Sequence, residues 1–141
     1  MFYEQRLSAP DRPETLRREY DDALASAVES AGIEDATART SVDRERLDTL
    51  VGGGSPRLSL DEASSLLALD ETEPDAETIA VEACEHLLLG MSTAVLDVET
   101  LAAEVELDLD PKEVQQKIER RAPMTFDEFV HLQYAIADSA P

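Results

Sequence analysis

DPKEVQQKIERRAPMTFDEF, residues 110–129, contains two helix starts separated by one tight turn, and this pattern decides the class of the chain. Asp110 is an N-cap residue, Pro111 suits the first helical position, and Glu113 stands where a capping-box acid answers the cap. Ala122, Pro123 and Met124 make the turn. Thr125 and Glu128 then repeat the capping box, and Phe126, Phe129, Val130, Tyr134 and Ile136 supply an apolar face at helical spacing. The spacing predicts one helix over residues 110–121 and a second from residue 125 onward.

Upstream segments follow the same period. Pro13 opens a helix whose stripe is Leu16, Tyr20, Ala23, Leu24, Ala27, Val28 and Ala31, and Gly32 closes it. The first ten residues read as an irregular arm, and residues 34–40 as a polar connection. A short helix from Ser41 buries Val42, Leu47, Leu50 and Val51. Ser59 with Glu62 starts another, faced by Leu60, Ala63, Leu66, Leu67 and Leu69. A longer helix from Ala76 to about Met91 carries Ile79, Ala83, Leu87 and Leu88, with Gly90 loosening its last turn. Asp97 caps a helix through Leu107. Residues 59–69 and 97–107 look alike, which reads as one helix type used twice.

The expectation is an all-α protein. Three Tyr, three Phe and no Trp leave a core built largely of Leu and Ala, which suits close helix packing better than a sandwich of strands. The run Gly52–Gly53–Gly54, followed by Ser55 and Pro56, marks a hinge. It divides the chain into a helical extension, residues 1–54, whose stripe either packs in cis on the core or pairs with a twin in a homodimer, and a helical domain, residues 55–141.

Charge narrows the function classes. The chain carries 32 Asp and Glu against 12 Lys and Arg, a net charge of -20. Such a surface repels itself in dilute buffer and tolerates concentrated salt, where the Debye length falls to about 3 Å at 1 M. A halophilic setting is expected. No apolar stretch approaches the ~18–20 residues that span a bilayer, and no signal pattern opens the chain, so a soluble cytoplasmic protein without a membrane partner is expected. The lone Cys84 forms no intrachain disulfide and fits a reducing compartment.

Against that background the basic residues are unevenly placed. Residues 58–111 contain no Lys or Arg, and then Lys112, Lys117, Arg120 and Arg121 follow within ten positions. On a helix from Pro111, Val114 and Ile118 share its face, while Lys112, Gln116 and Arg120 lie opposite, flanked by Gln115, Lys117 and Arg121. Lys and Arg neutralise phosphates, and Gln and Arg hydrogen-bond base edges. These six are the candidate contacts to double-stranded DNA. A bland reading competes: Glu113 and Lys117 are spaced for an i, i+4 ion pair, and Arg120 and Arg121 suit a helix C-terminus.

The stretch VQQKIERRAPMTFDEF, residues 114–129, resembles the Cro/C1-type helix-turn-helix of phage repressors. Val114, Lys117, Ile118, Arg121, Pro123, Thr125, Asp127 and Glu128 match that pattern, and Leu101 and Ala102 match the opening of the preceding helix. The resemblance implies a helix-turn-helix-like segment at about residues 97–137, with Lys112, Gln115, Gln116 and Lys117 facing DNA. Arg120 and Glu106 replace two glycines of the pattern. The whole chain also resembles a family of small, acidic, uncharacterised haloarchaeal proteins.

Other chemistry is not expected. Cys84 and His86 point about 200° apart on a helix and cannot easily share a metal. His131 stands alone, and Asp108 and Asp110 lack the spacing and the glycine of a calcium loop. No catalytic residue, metal or cofactor is therefore expected. The reading is a DNA-binding regulator; its alternative is a non-catalytic adaptor that holds a protein partner, favoured by the missing glycines and by Glu104, Glu106 and Asp108.

Overall fold

The caps in the sequence become the corners of the fold. In the computed structural model, which describes residues 1–140, the helices are α1 (Pro13–Ala31), α2 (Ile33–Arg39), α3 (Arg44–Val51), α4 (Leu60–Leu67), α5 (Ala76–Ala94), α6 (Val98–Glu104), α7 (Pro111–Ile118) and α8 (Phe126–Asp138). No strand is present among the described residues, so the protein is all-α. Asp43, Ser59, Asp75, Asp97, Asp110 and Thr125 each cap a helix through the side chain, and α4, α7 and α8 carry complete capping boxes.

Five boundaries depart from the sequence reading; α3 begins at Arg44 rather than Ser41, and α6 stops at Glu104 rather than Leu107. Residues 34–40 are not a loop but lie mostly in α2, because Gly32 at φ 92 turns the chain and Ala36 is buried beneath it. α5 runs on through Gly90 to Ala94. A Cβ on Gly90 would lie 2.8 Å from the Ile136 Cγ2 methyl, so the glycine admits close contact with α8 rather than loosening the helix. α7 stops at Ile118, three residues early, since Arg120 takes a left-handed φ of 62.

One core runs through the chain from Phe2 to Ile136. α1 packs on α3, α4 and α8, and α5 on α4, α7 and α8. Leu16, Tyr20, Leu24 and Val28, the larger residues of the α1 stripe, are buried within the chain. The boundary expected at Gly54 falls inside this core. Arg17 on α1 donates to the Pro56 carbonyl at 2.6 Å, and Ser55 donates to Asp21 at 2.6 Å. The first residues do not form an arm either: Phe2 is fully buried, with its ring 5.0 Å from that of Phe126 and 5.8 Å from that of Phe129. Gln133 donates to the Phe2 carbonyl at 2.9 Å and accepts from the Tyr20 hydroxyl.

Residues 59–69 and 97–107 both form short helices capped by a side chain, and a second repeat joins the fold. α3–loop–α4 and α7–loop–α8 are two helix–loop–helix units joined by an antiparallel bridge between Ser59 and Thr125. Leu60 N donates to Met124 O at 2.9 Å, and Phe126 N to Leu58 O at 2.8 Å. The joined segments read LSLDEA (58–63) and MTFDEF (124–129), alike at every position except the last.

Truncating Phe2 tests whether the N-terminal residues belong to this core. Phe2→Ala is expected to cost about 3–5 kcal/mol, the loss typical of a buried aromatic. Denaturant unfolding in high salt measures it; a loss below about 1 kcal/mol, the surface range, would show a detachable arm.

Candidate functional site

α7 is short because it is fixed at both ends. Asp110 accepts from Glu113 N at 2.8 Å and Glu113 returns a weaker bond to Asp110 N at 3.3 Å, so the acid expected to pair with Lys117 belongs to the cap instead. Val114 and Ile118 are buried as the helical wheel requires. The opposite face is presented to solvent around Lys112.

The six candidate residues do not form one free basic strip. Lys117 turns away from the solvent face: its ammonium donates to the Pro123 carbonyl at 2.8 Å and lies 3.0 Å from Glu128 Oε1, with its side chain only 16% exposed. Arg120 reaches back across the loop to within 3.5 Å of Asp61. Arg121 pairs with Glu119, and Gln115 donates to the same carboxylate group at 3.1 Å. Both bonds hold the Glu119 carboxyl below its usual range, Gln115 contributing most. Lys112 forms no ion pair, and Gln116 has no side-chain partner, among the described residues. Three of the four cations are thus neutralised where they stand.

The loop that mirrors this one is held in the same manner. Arg46 on α3 reaches Glu62 through two bonds, Nη1 to Oε1 at 2.9 Å and Nη2 to Oε2 at 2.7 Å, and also donates to the Arg57 carbonyl at 2.8 Å. The guanidinium lowers the Glu62 carboxyl against the opposing effect of its burial. Beside it, the Arg17–Asp21 pair is buried at 2.9 Å, and the Arg17 guanidinium sits 5.1 Å above the Phe126 ring and 3.6 Å from Asp127. No sequence motif announced Arg17 or Arg46. The only signal was the recurrence of Asp-Glu at 61–62 and 127–128.

A second surface lies on the other side of α7. Leu88, read from sequence as part of the buried face of α5, is 46% exposed, as is Leu89 at 49%, and Val95 stands in a left-handed turn at 90%. The run Leu87–Leu88–Leu89 is wider than one buried helical face can absorb, and that was its legible signal. Next to these residues a cleft of about 290 Å³ is lined by Leu88, Met91, Val98 and Ile118. Asp97, the cap of α6, and Glu119, which already pairs with Arg121, stand at it with the Gln115 amide. Apolar walls with an acidic rim can hold an apolar, cationic segment.

Elsewhere the chemistry is sparse. Among the described residues no group of three His, Cys, Asp or Glu side chains gathers to hold a metal. Cys84 is buried, and that burial pushes its thiol up, partly opposed by Arg120. His131 Nδ1 lies 2.8 Å from the Asp127 carbonyl. No single helix is long and apolar enough to cross a membrane.

A family model described as a family of unknown function, DUF5791, matches residues 16–139. The chain belongs to that family. No curated protein and no solved structure matches it. The DUF5791 match takes in both helix–loop–helix units, the bridge and all three cations that hold the loops, Arg17, Arg46 and Lys117. It also spans the apolar cleft.

Arg46→Met tests the Glu62 clamp through pH. Because the Glu62 pKa is lowered in the folded protein, the pair contributes fully above the ordinary glutamate value of about 4.3, and its contribution fades as pH falls through the lower, folded value. The difference in Tm between wild type and Arg46→Met is therefore expected to be largest near pH 7 and to shrink below about pH 4. A difference independent of pH would assign Arg46 a packing role alone.

Proposed function

We propose that this protein is a non-catalytic helical adaptor that grips an amphipathic, cationic helix of a partner protein in the cleft between α5 and α7. The observation that carries the reading is the exposure of Leu88, Leu89 and Val95 at the C-terminal end of α5, with Leu88 lining an apolar cleft at which Asp97 and Glu119 stand. Helix-in-groove recognition uses apolar anchors at i, i+3 or i+4, and i+7, with charges outside the groove setting partner choice. We read the net charge of -20 as adaptation to a halophile's salt-rich cytoplasm, where screening leaves apolar contact as the main attraction.

Double-stranded DNA is the second reading, as for a helix-turn-helix regulator, and one observation favours it: Lys112 and Gln116 stand on α7 without partners. The pairing of Lys117, Arg120 and Arg121 with carboxylates weighs against it, because phosphates would compete with anions already in place.

A designed cationic helix with leucines at i, i+3 and i+7, labelled for fluorescence anisotropy, separates the readings. In about 0.5 M KCl it is expected to bind wild type and to lose tenfold or more, about 1.4 kcal/mol, against Leu88→Asp, an exposed change expected to spare folding. Equal binding by both proteins would sink the adaptor reading. In parallel, retardation of DNA at multimolar KCl that disappears with Gln116→Ala would favour the DNA reading.

A further inference from the structure

The two clamped glutamates share more than a capping box. Twelve residues ending at each glutamate span 51–62 in the first loop and 117–128 in the second. At the seventh position stands the carbonyl that receives the cation, Arg57 or Pro123. The eighth is a buried apolar residue, Leu58 or Met124, and the ninth is the N-cap, Ser59 or Thr125. The twelfth is the glutamate itself. In a calcium loop of twelve residues the seventh carbonyl and a bidentate glutamate at the twelfth position are metal ligands, and carboxylates at positions one, three and five complete the shell.

Here those early positions do not make a calcium shell, because Glu119 is the only carboxylate among them. They are Val51, Gly53 and Ser55 in the first loop, and Lys117, Glu119 and Arg121 in the second. A side-chain cation meets the remaining ligands instead. The Arg46 guanidinium bonds both oxygens of Glu62 and the Arg57 carbonyl, and the Lys117 ammonium meets Glu128 and the Pro123 carbonyl, from different positions on the two entering helices. We propose that the two loops are cation sites of the calcium-loop type whose occupant is the chain's own side chain, Arg46 in one and Lys117 in the other. Metal binding to such loops is folding free energy gained only when the ion is present. A cation carried by the chain makes that contribution permanent, so the helix pair holds one geometry whatever the divalent-ion level. The inference is independent of the adaptor reading.

Exchanging the built-in cation for a vacancy lined with carboxylates tests it. In the full chain, Lys117→Asp with Arg121→Asp places carboxylates at 117, 119, 121 and 128 around the Pro123 carbonyl. Thermal unfolding is followed by circular dichroism in about 0.5 M KCl with ~10 mM CaCl2, against equal MgCl2, which screens the acidic surface alike. Wild type is expected to show the same Tm in both salts. The double variant is expected to melt lower without calcium and to gain about 5 °C or more with it, or to fold only when calcium is added. A calcium-specific rise in wild type, or a folded double variant with no calcium response, overturns the proposal. If the double variant folds in neither salt, Lys117→Met decides, since it keeps the stem and removes the charge. A drop of about 5 °C or more supports the cation's role, and a smaller change, in the range of an ordinary surface pair, overturns it.

Discussion

Two backbone hydrogen bonds, from Leu60 to Met124 and from Phe126 to Leu58, tie the starts of α4 and α8 together, and the rest of the architecture is arranged around that junction. The bridge brings two helix N-termini side by side. Each N-terminus leaves backbone N–H groups unpaired and concentrates partial positive charge, so each needs anionic caps. Ser59 with Glu62 and Thr125 with Glu128 supply them. The caps in turn place two partly buried carboxylates close to the junction, and these need cations. Arg46 and Lys117 meet that need, while Arg17 and Arg120 neutralise the adjacent Asp127 and Asp61.

This chain of compensation explains how so acidic a protein uses its few cations. Ion pairs on exposed surfaces contribute little, because water and salt screen them. The pairs at the junction differ: Arg17 and Asp21 each expose 9% of their side chains, and Arg46, Glu62, Lys117 and Glu128 each expose less than a third. Bidentate geometry and loop carbonyls satisfy the remaining donors, which is the condition under which a shielded charge pair is tolerated. The cluster of basic residues after Pro111 therefore owes Lys117 to the shielded loop and Arg120 to a surface pair with Asp61. A cluster on one helix looked like a surface for an external anion; the loop geometry turned Lys117 inward and Arg120 back across to α4.

With its cations drawn to the junction, the far side of α7 is left acidic and apolar. There α5 leaves two leucines, Leu88 and Leu89, about half exposed, and Val95 ends the helix in a left-handed turn that keeps its side chain in water. Such exposed apolar area stands out in a chain otherwise coated with carboxylates, and it is the feature on which the proposed adaptor reading rests.

Sequence alone determined the class of the fold, most helix starts and the larger part of the core, because caps and apolar period are local properties: Ser59–Glu62, Asp110–Glu113 and Thr125–Glu128 act within one turn of chain. It also marked Val114 and Ile118 as buried and Lys112 as exposed. Tertiary structure decided what needed partners distant in sequence. Nothing local shows that Phe2 enters the core against Phe126, that Gly90 is small to admit Ile136, or that residues 58–63 pair with 124–129. The fate of Lys117 was of that kind too. A helical wheel fixes the direction in which a side chain leaves the helix, but its long flexible stem goes where a carboxylate and a carbonyl meet, and only the folded loop brought Glu128 and Pro123 together.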